Sequence, residues 1–268
     1  MDPDALDPAT ARALLEWQRE MGVTDAIGEA PVDRYELQPV RPPAPSPAEA
    51  PSPRPPIAAP TLDLGLAPAD PVAEAEAAAA AAADIPALIA AIEAFPHIEH
   101  KPGARQIVFA DGTAGSPLMI VGEAPGRDED VLGKPFVGVS GQLLDRMLAA
   151  IGRDRTDPDP ARSFYVTNVQ YYRPPGNATP GADEVAILAP FLRRHIELAA
   201  PRVVVAMGNT PLLALTGKAG ITRRRGMWDW AGDVPMMPTF HPAYLLRRPE
   251  GKADAWKDLQ AIRDRLAA

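Results

Sequence analysis

The residues best suited to chemistry lie between an apolar run, PLMIV (117–121), and a helical pattern, QLLDRMLAAI (142–151). The stretch joining them reads VGEAPGRDEDVLGKPFVGVSGQLLD (121–145). Strand, glycine-rich turn and helix is an arrangement that often holds phosphate on backbone N–H groups. This loop has neither the G-x-x-x-x-G-K-[ST] nor the G-x-G-x-x-G spacing, and Gly133-Lys134 runs into Pro135. It also carries Glu123, Asp128, Glu129 and Asp130, whose charges would repel a phosphate. Glu123 and Glu129 therefore either accept backbone hydrogen bonds that hold the turn, or read a donor on a ligand or orient a water.

Four other features offer chemistry, each beside a plainer reading. Phe136 in PFVG is either core or a flat surface on which a base stacks. Asn168 ends an apolar strand, where an amide either caps a turn or presents a donor and an acceptor to the edge of a pyrimidine. His241 follows a strand and precedes a proline in the arginine-rich FHPAYLLRRP, which favours a functional role over a structural one. Arg223, Arg224 and Arg225, with Arg247 and Arg248, are either a solvated surface or two clusters suited to a phosphate backbone. His97 and His100 have the H-x-x-H spacing of a metal-ligand pair, but no second pair accompanies them, so no metal is expected.

Apolar runs alternate with helical patterns to position these groups. Helices are expected at 84–95, 141–151, 182–199, 209–216 and 252–266, and strands at 117–121, 164–169, 202–207 and 235–240. The alternation implies a parallel sheet covered on both faces, an α/β fold. Ligands in such sheets sit beyond the carboxyl ends of the strands. Four segments fall there: GEAPG, Asn168 with YYRPPGN, GNT, and FHPAYLLRRP.

The rest of the chain is different in kind. Residues 31–83 hold much of the chain's 33 prolines and end in an alanine run, a composition that reads as a disordered linker with a transiently helical end. Residues 8–22 read as a short amphipathic helix within an N-terminal segment, 1–30, and 84–268 as the folded domain. Residues 1–100 carry 5 Lys+Arg against 17 Asp+Glu, and residues 101–268 carry 22 against 18. The net −8 therefore belongs to the tail, and the basic domain is compatible with a nucleic-acid partner. The absence of cysteine excludes disulfides, thiolate metal sites and iron–sulfur clusters. No run of 18 apolar residues exists and the acidic N-terminus is no secretion signal, so the expectation is a soluble, cytoplasmic protein with no membrane partner.

Taken in order, GEAPGRDED-x-x-GKPFVG-x-SG-x-LLD (122–145), TNVQYYRPPGNATP (167–180), PRVVVAMG (201–208), ITRRRG-x-W (221–228) and FHPAYLLR (240–247) resemble the family-4 type of uracil-DNA glycosylase, over residues 95–268. The resemblance implies a three-layer α/β/α sandwich on a four-stranded parallel sheet. It also implies a monofunctional, monomeric bacterial enzyme of base excision repair, working at the nucleoid, that flips uracil out of DNA and hydrolyses its N-glycosidic bond. By motif, Phe136 would stack on uracil, Asn168 would pair with its O4/N3 edge and Glu129 would line its C5 side. Gly122, Ala124, Pro125 and Gly126 would form the wall beside the base. His241 would donate to O2. Tyr244 and Leu245 would wedge into the duplex, with Arg173, Arg225 and Arg247 on the DNA backbone. In related family-1 enzymes an aspartate two residues after the loop's first glycine activates water. That position is Ala124, so Glu123 is the candidate for orienting water.

The family's structural iron–sulfur cluster has no ligands in this chain. Tyr172 and Leu188 stand at or near two of the cysteine positions and FPHIEH (95–100) replaces the early pair. Phe95, Tyr172, Leu188 and Phe191 are expected to fill that volume, leaving a colourless protein without a cofactor. A relative that crosslinks to uracil-DNA does so through a histidine in a basic insertion, whereas RPPGNATPGADE has no histidine and points to turnover. Two other functions remain open: a catalytically silent uracil- or DNA-binding module, favoured by Ala124, and a nucleoside hydrolase, which would need neither arginine clusters nor a wedge. TLDLGL (61–66) loosely resembles peptides that dock on sliding clamps, though its first residue departs from that motif.

Overall fold

The computed structural model describes Asp7, Arg12 and residues 70–268. TLDLGL and, apart from Arg12, the helix expected over 8–22 lie outside the described residues.

One six-stranded sheet organises residues 70–268, in the order β1-β3-β2-β4-β6-β5. Its centre is the expected set of four parallel strands: β2 (Leu118–Gly122), β3 (Tyr165–Asn168), β4 (Val203–Met207) and β6 (Val234–Thr239). Two three-residue strands, β1 (Ala110–Gly112) and β5 (Asp229–Ala231), extend the edges antiparallel. Alternate side chains of the central strands serve two cores, as the period of a strand requires. Leu118, Ile120, Val203, Val205, Met207 and Met237 meet α4 (Val139–Ala149) and α9 (Lys252–Ala267) through Leu144, Leu148, Leu259 and Ile262. Met119, Val121, Val204 and Ala206 face the other way, in the core shared by α2 (Ile85–Ala94), α5 (Ala182–Ala199) and α6 (Asn209–Thr216). The result is a three-layer α/β/α sandwich.

The linker expectation fails at its C-terminal end. Residues Pro71–Ala81 form a packed helix, α1, where transient helicity was expected. Asp70 caps it, its carboxylate accepting from Val72 N at 3.0 Å, and Pro71 occupies the first turn, where its missing N–H costs nothing. Ala75 and Ala79, four residues apart, are buried in the core that also holds α5. Alanine offers little area, but it permits close helix approach and gives up no rotamer freedom. Two polar ties add to this packing: His97 Nε2 lies 2.8 Å from Glu74, and Arg194 donates to the Ala82 carbonyl at 2.8 and 2.9 Å. Ala75→Glu should therefore lower the thermal midpoint by on the order of 5 °C through burial of an unpaired charge. The same change at exposed Ala77 should leave it within about 1 °C, and equal midpoints by calorimetry would contradict a docked α1.

The remaining short helices, α3 (Arg127–Leu132), α7 (Ile221–Arg224) and α8 (Pro242–Arg247), lie in loops following carboxyl ends of the parallel strands. Among the described residues no helix is long and apolar enough to cross a membrane.

Candidate active site

A pocket of about 500 Å³ opens where β2, β3 and β6 end, within the size range of small-molecule sites. It gathers Glu123, Ala124, Pro125, Gly126, Glu129, Phe136, Asn168, His241, Tyr244 and Arg247 from the segments at the ends of these three strands, whereas GNT, expected there beyond β4, does not line it. Register explains the convergence. Gly122, the last residue of β2, pairs with Asn168, the last of β3. A Cβ on Gly122 would overlap both Asn168 Oδ1 and Phe136 Cζ, so glycine here lets the aromatic ring and the amide lie against the strand end.

The acids of the first loop divide into two kinds. Asp128, Glu129 and Asp130 occupy the first turn of α3, where exposed N–H groups favour negative charge. Asp130 is buried and accepts from Arg105 N at 2.9 Å. Glu129 lines the pocket, yet its carboxylate already accepts from Gly126 N at 3.1 Å, Val137 N at 3.1 Å and Gly138 N at 3.0 Å. It clasps the PFVG segment to the start of α3, which is the turn-holding reading and leaves little acceptor capacity for a base. Glu123 is the other kind. Its side chain is partly exposed to the pocket and accepts from Thr179 Oγ1 at 3.1 Å and Thr210 Oγ1 at 2.7 Å.

Phe136 satisfies both of its readings: it is buried in the core beneath α4 and it lines the pocket. Its backbone has φ +55°, unusual for a bulky residue, so surrounding groups must hold it. Arg155 supplies the hold, donating to the Pro135 carbonyl at 3.1 Å and the Phe136 carbonyl at 3.0 Å. The same guanidinium pairs with Asp145 at 2.7 Å and Asp111 at 3.3 Å, which compensates its burial. Gly141 completes the fit, because a Cβ there would run into the Phe136 carbonyl.

His241 caps α8 with its own ring: Ala243 N donates to Nδ1 at 3.1 Å. A ring nitrogen that accepts carries no proton, so the neutral imidazole bears its hydrogen on Nε2. Burial, with a smaller contribution from the nearby Arg247 cation, lowers the pKa of His241 to about 4. The ring is therefore neutral at physiological pH, with an N–H to donate into the pocket. Its centroid lies 5.4 Å from that of Phe136. The amide of Asn168, buried in the pocket wall, has no hydrogen-bond partner among the described residues.

The residues expected on DNA divide as well. Arg247 is exposed at the pocket rim, and Tyr244 lines the pocket with its ring stacked on Phe240 at 4.7 Å. Leu245 is a correction. It is 1% exposed, turned into the core, whereas Leu246 is 41% exposed, so the phase of α8 presents Leu246 in its place. Arg225 is a second correction: it turns inward to the buried Asp258 (Nε to Oδ2, 3.0 Å) and lies over the Phe240 ring. Its charge holds α9 to the turn that follows α7. Arg173 donates to Asn177 Oδ1 at 2.9 Å and braces the RPPGN turn, whose Asn177 lines the pocket. Ser140, Asn177 and Thr179 also line the pocket, and Thr210 touches it through Glu123; their only mark in the sequence is a hydroxyl or amide in or near the segments that follow the strands.

His97 and His100 diverge, to Glu74 and to Glu184 at 3.0 Å, and among the described residues no group of three His, Cys, Asp or Glu is placed to hold a metal. Nor do the iron–sulfur positions fit a cluster. Phe95, Ile98, Tyr172, Leu188 and Phe191 are buried in one apolar core, with Phe95 edge-on to Phe191 at 5.1 Å.

The described residues thus form an α/β/α sandwich with an aromatic ring, an amide and a neutral imidazole at its strand ends. Comparison with known sequences is more specific. Residues 109–260 match the uracil DNA glycosylase superfamily, and the chain belongs to that family. It is 42% identical over 144 residues to a type-4 uracil-DNA glycosylase of Thermotoga maritima, covering 53% of this chain and 72% of the relative. A type-4 uracil-DNA glycosylase of Sulfurisphaera tokodaii is 34% identical over 167 residues, 59% of this chain and 73% of the relative. A type-5 uracil-DNA glycosylase of Pyrobaculum aerophilum is 30% identical over 146 residues, 50% of this chain and 64% of the relative.

Proposed function

We propose that this chain is a monofunctional uracil-DNA glycosylase that extrudes uracil from DNA into the strand-end pocket and hydrolyses its N-glycosidic bond. The carrying observation is the meeting of Phe136, Asn168 and a neutral, Nε2-protonated His241 in one cavity. Superfamily membership and the type-4 relatives support the same substrate.

Each residue has a part in the reaction. Phe136 offers a face for stacking, and Asn168 offers a donor for O4 and an acceptor for N3–H. As the C1′–N1 bond breaks, its electron pair moves onto the base and charge accumulates at O2. His241 Nε2–H donates to that oxygen, and a fixed donor in a partly desolvated pocket needs no reorganisation as the charge develops. The sugar is left with oxocarbenium character, toward which Glu123 turns its negative charge. A water held by Glu123 adds to C1′, and its proton departs through the carboxylate to solvent. The departing uracil anion takes up a proton from solvent on release, so the products are free uracil and an abasic site. Arg247 and Arg223, both exposed, would meet phosphates, and the exposed Leu246 of α8 would occupy the vacated stack.

Alkaline cleavage of a single-uracil oligonucleotide tests the proposal. Strand scission with the wild-type chain, absent for Asn168→Ala and His241→Ala, is the expected result. Retarded mobility without scission would establish a silent binding module.

A further inference from the structure

Among the described residues Glu123 has no ionic partner, yet its carboxylate is held at both oxygens. Thr210 Oγ1–H donates to Oε2 at 2.7 Å and Thr179 Oγ1–H donates to Oε1 at 3.1 Å. The two hydroxyls come from different parts of the fold. Thr210 belongs to the first turn of α6, directly beyond β4, and is 4% exposed. Thr179 belongs to the exposed loop that follows β3. The Glu123 main chain is fixed too, its carbonyl accepting from Gln170 N at 3.0 Å. Around α6 the mounting is firm: Asn209 Oδ1 accepts from Gly220 N at 3.1 Å and Ile221 N at 2.8 Å, and Gly208 N donates to the Thr239 carbonyl at 3.0 Å.

We infer that Thr210, assisted by Thr179, is a positioning residue that aims the Glu123 carboxylate at the attacking water. The inference rests on the proposed glycosylase reading and deepens it. An ionised carboxylate has room for about four hydrogen bonds, so two hydroxyl donors fix its plane and leave acceptor sites for a water. Neither threonine adds charge, so the carboxylate keeps its full negative charge toward the sugar. A carboxylate that swings by 1 Å loses the near-attack geometry on which rate depends. The two hydroxyls are unequal. Water can replace exposed Thr179, whereas buried Thr210 sits where a replacement donor has little access.

The test compares the full chain with Thr210→Ser, Thr210→Val, Thr210→Ala, Thr179→Val and Glu123→Gln on a single-uracil oligonucleotide. Readouts are the single-turnover rate of uracil release, the affinity for the oligonucleotide and the thermal midpoint. Retention of the hydroxyl should sort the rates. Thr210→Ser should stay within about threefold of wild type, while Thr210→Val and Thr210→Ala lose about 10- to 100-fold in rate at unchanged affinity. Thr179→Val should lose about threefold or less. Adding Thr210→Val to Glu123→Gln should cause little further loss, because residues that act as a unit are not additive. Wild-type rates in Thr210→Val, or losses that multiply in the double variant, overturn the inference while leaving the glycosylase reading intact. A wild-type chain that releases no uracil defeats the underlying reading, and a Glu123→Gln chain at full rate removes Glu123, and Thr210 with it, from the reaction. Serine and valine variants with equal rates but lowered thermal midpoints show a merely structural threonine.

Discussion

His241→Ala should lower the single-turnover rate of uracil release by about 10²- to 10³-fold, the usual loss when one preorganised donor to a developing anion is removed. The ring has two functions, and they separate experimentally. Nδ1 caps α8 by accepting from Ala243 N, so alanine also costs about 1 kcal/mol of stability through the lost cap. His241→Asn restores a favoured capping residue but not the reach of Nε2–H, so stability should recover while the rate does not. The acid limb follows from the same environment. Burial and Arg247 hold the His241 pKa at about 4, below the unperturbed value of about 6.5. The neutral donor therefore persists as pH falls through 6.5 and is lost only near 4, so its contribution to catalysis should not decline between pH 7 and 5. Stability moves differently. The unfolded chain takes up protons at His241 from about pH 6.5 downward while the folded chain does not, so the folded state weakens between about 6.5 and 4. The buried His195, with its pKa lowered to about 3 by burial, adds to that loss over a wider window. Nitrogen-detected NMR of the imidazoles should show an Nε2–H tautomer for His241 at pH 6, and a midpoint near 6.5 would refute the assignment.

Asn168→Leu should abolish measurable uracil release, a loss of about 10³-fold or more, with little change in the thermal midpoint. A site that hydrogen-bonds a base loses discrimination steeply when its polar group is removed, because the base edge is then desolvated without a partner. Stability should change little, since no side-chain hydrogen bond of Asn168 among the described residues is lost and leucine keeps the same branched shape at the pocket wall. A variant that is equally stable and inactive separates recognition from folding. Parallel losses of midpoint and activity would mean that Asn168 merely closes the end of β3.

The parts legible in the sequence were those carried by periodicity and by strand-end position. The four central strands and their flanking helices alternate clearly, and the carboxyl ends of three of them, β2, β3 and β6, hold the pocket. The parts that were not legible depended on partners distant along the chain or on a single residue of phase. The alanine run of α1 resembles a linker because its stability comes from Ala75 and Ala79 against a core built around α5, over one hundred residues away. Arg225 looks like a free cation until α9 supplies Asp258. Leu245 and Leu246 are indistinguishable by composition, and only the rotation of α8 decides which one is buried. The acidic glycine loop showed its chemistry through what it lacked, a phosphate motif. The division of labour between Glu129, which holds the turn, and Glu123, which faces the pocket, required the hydrogen bonds themselves.

The most direct measurement is mass-spectrometric quantification of the free base released by the full chain from an oligonucleotide with one uracil, beside otherwise identical oligonucleotides carrying cytosine or thymine. Free uracil in one-to-one ratio with abasic strands, over repeated turnovers and with no cytosine released, is the predicted result. Tight binding of the uracil strand with no free base would contradict it.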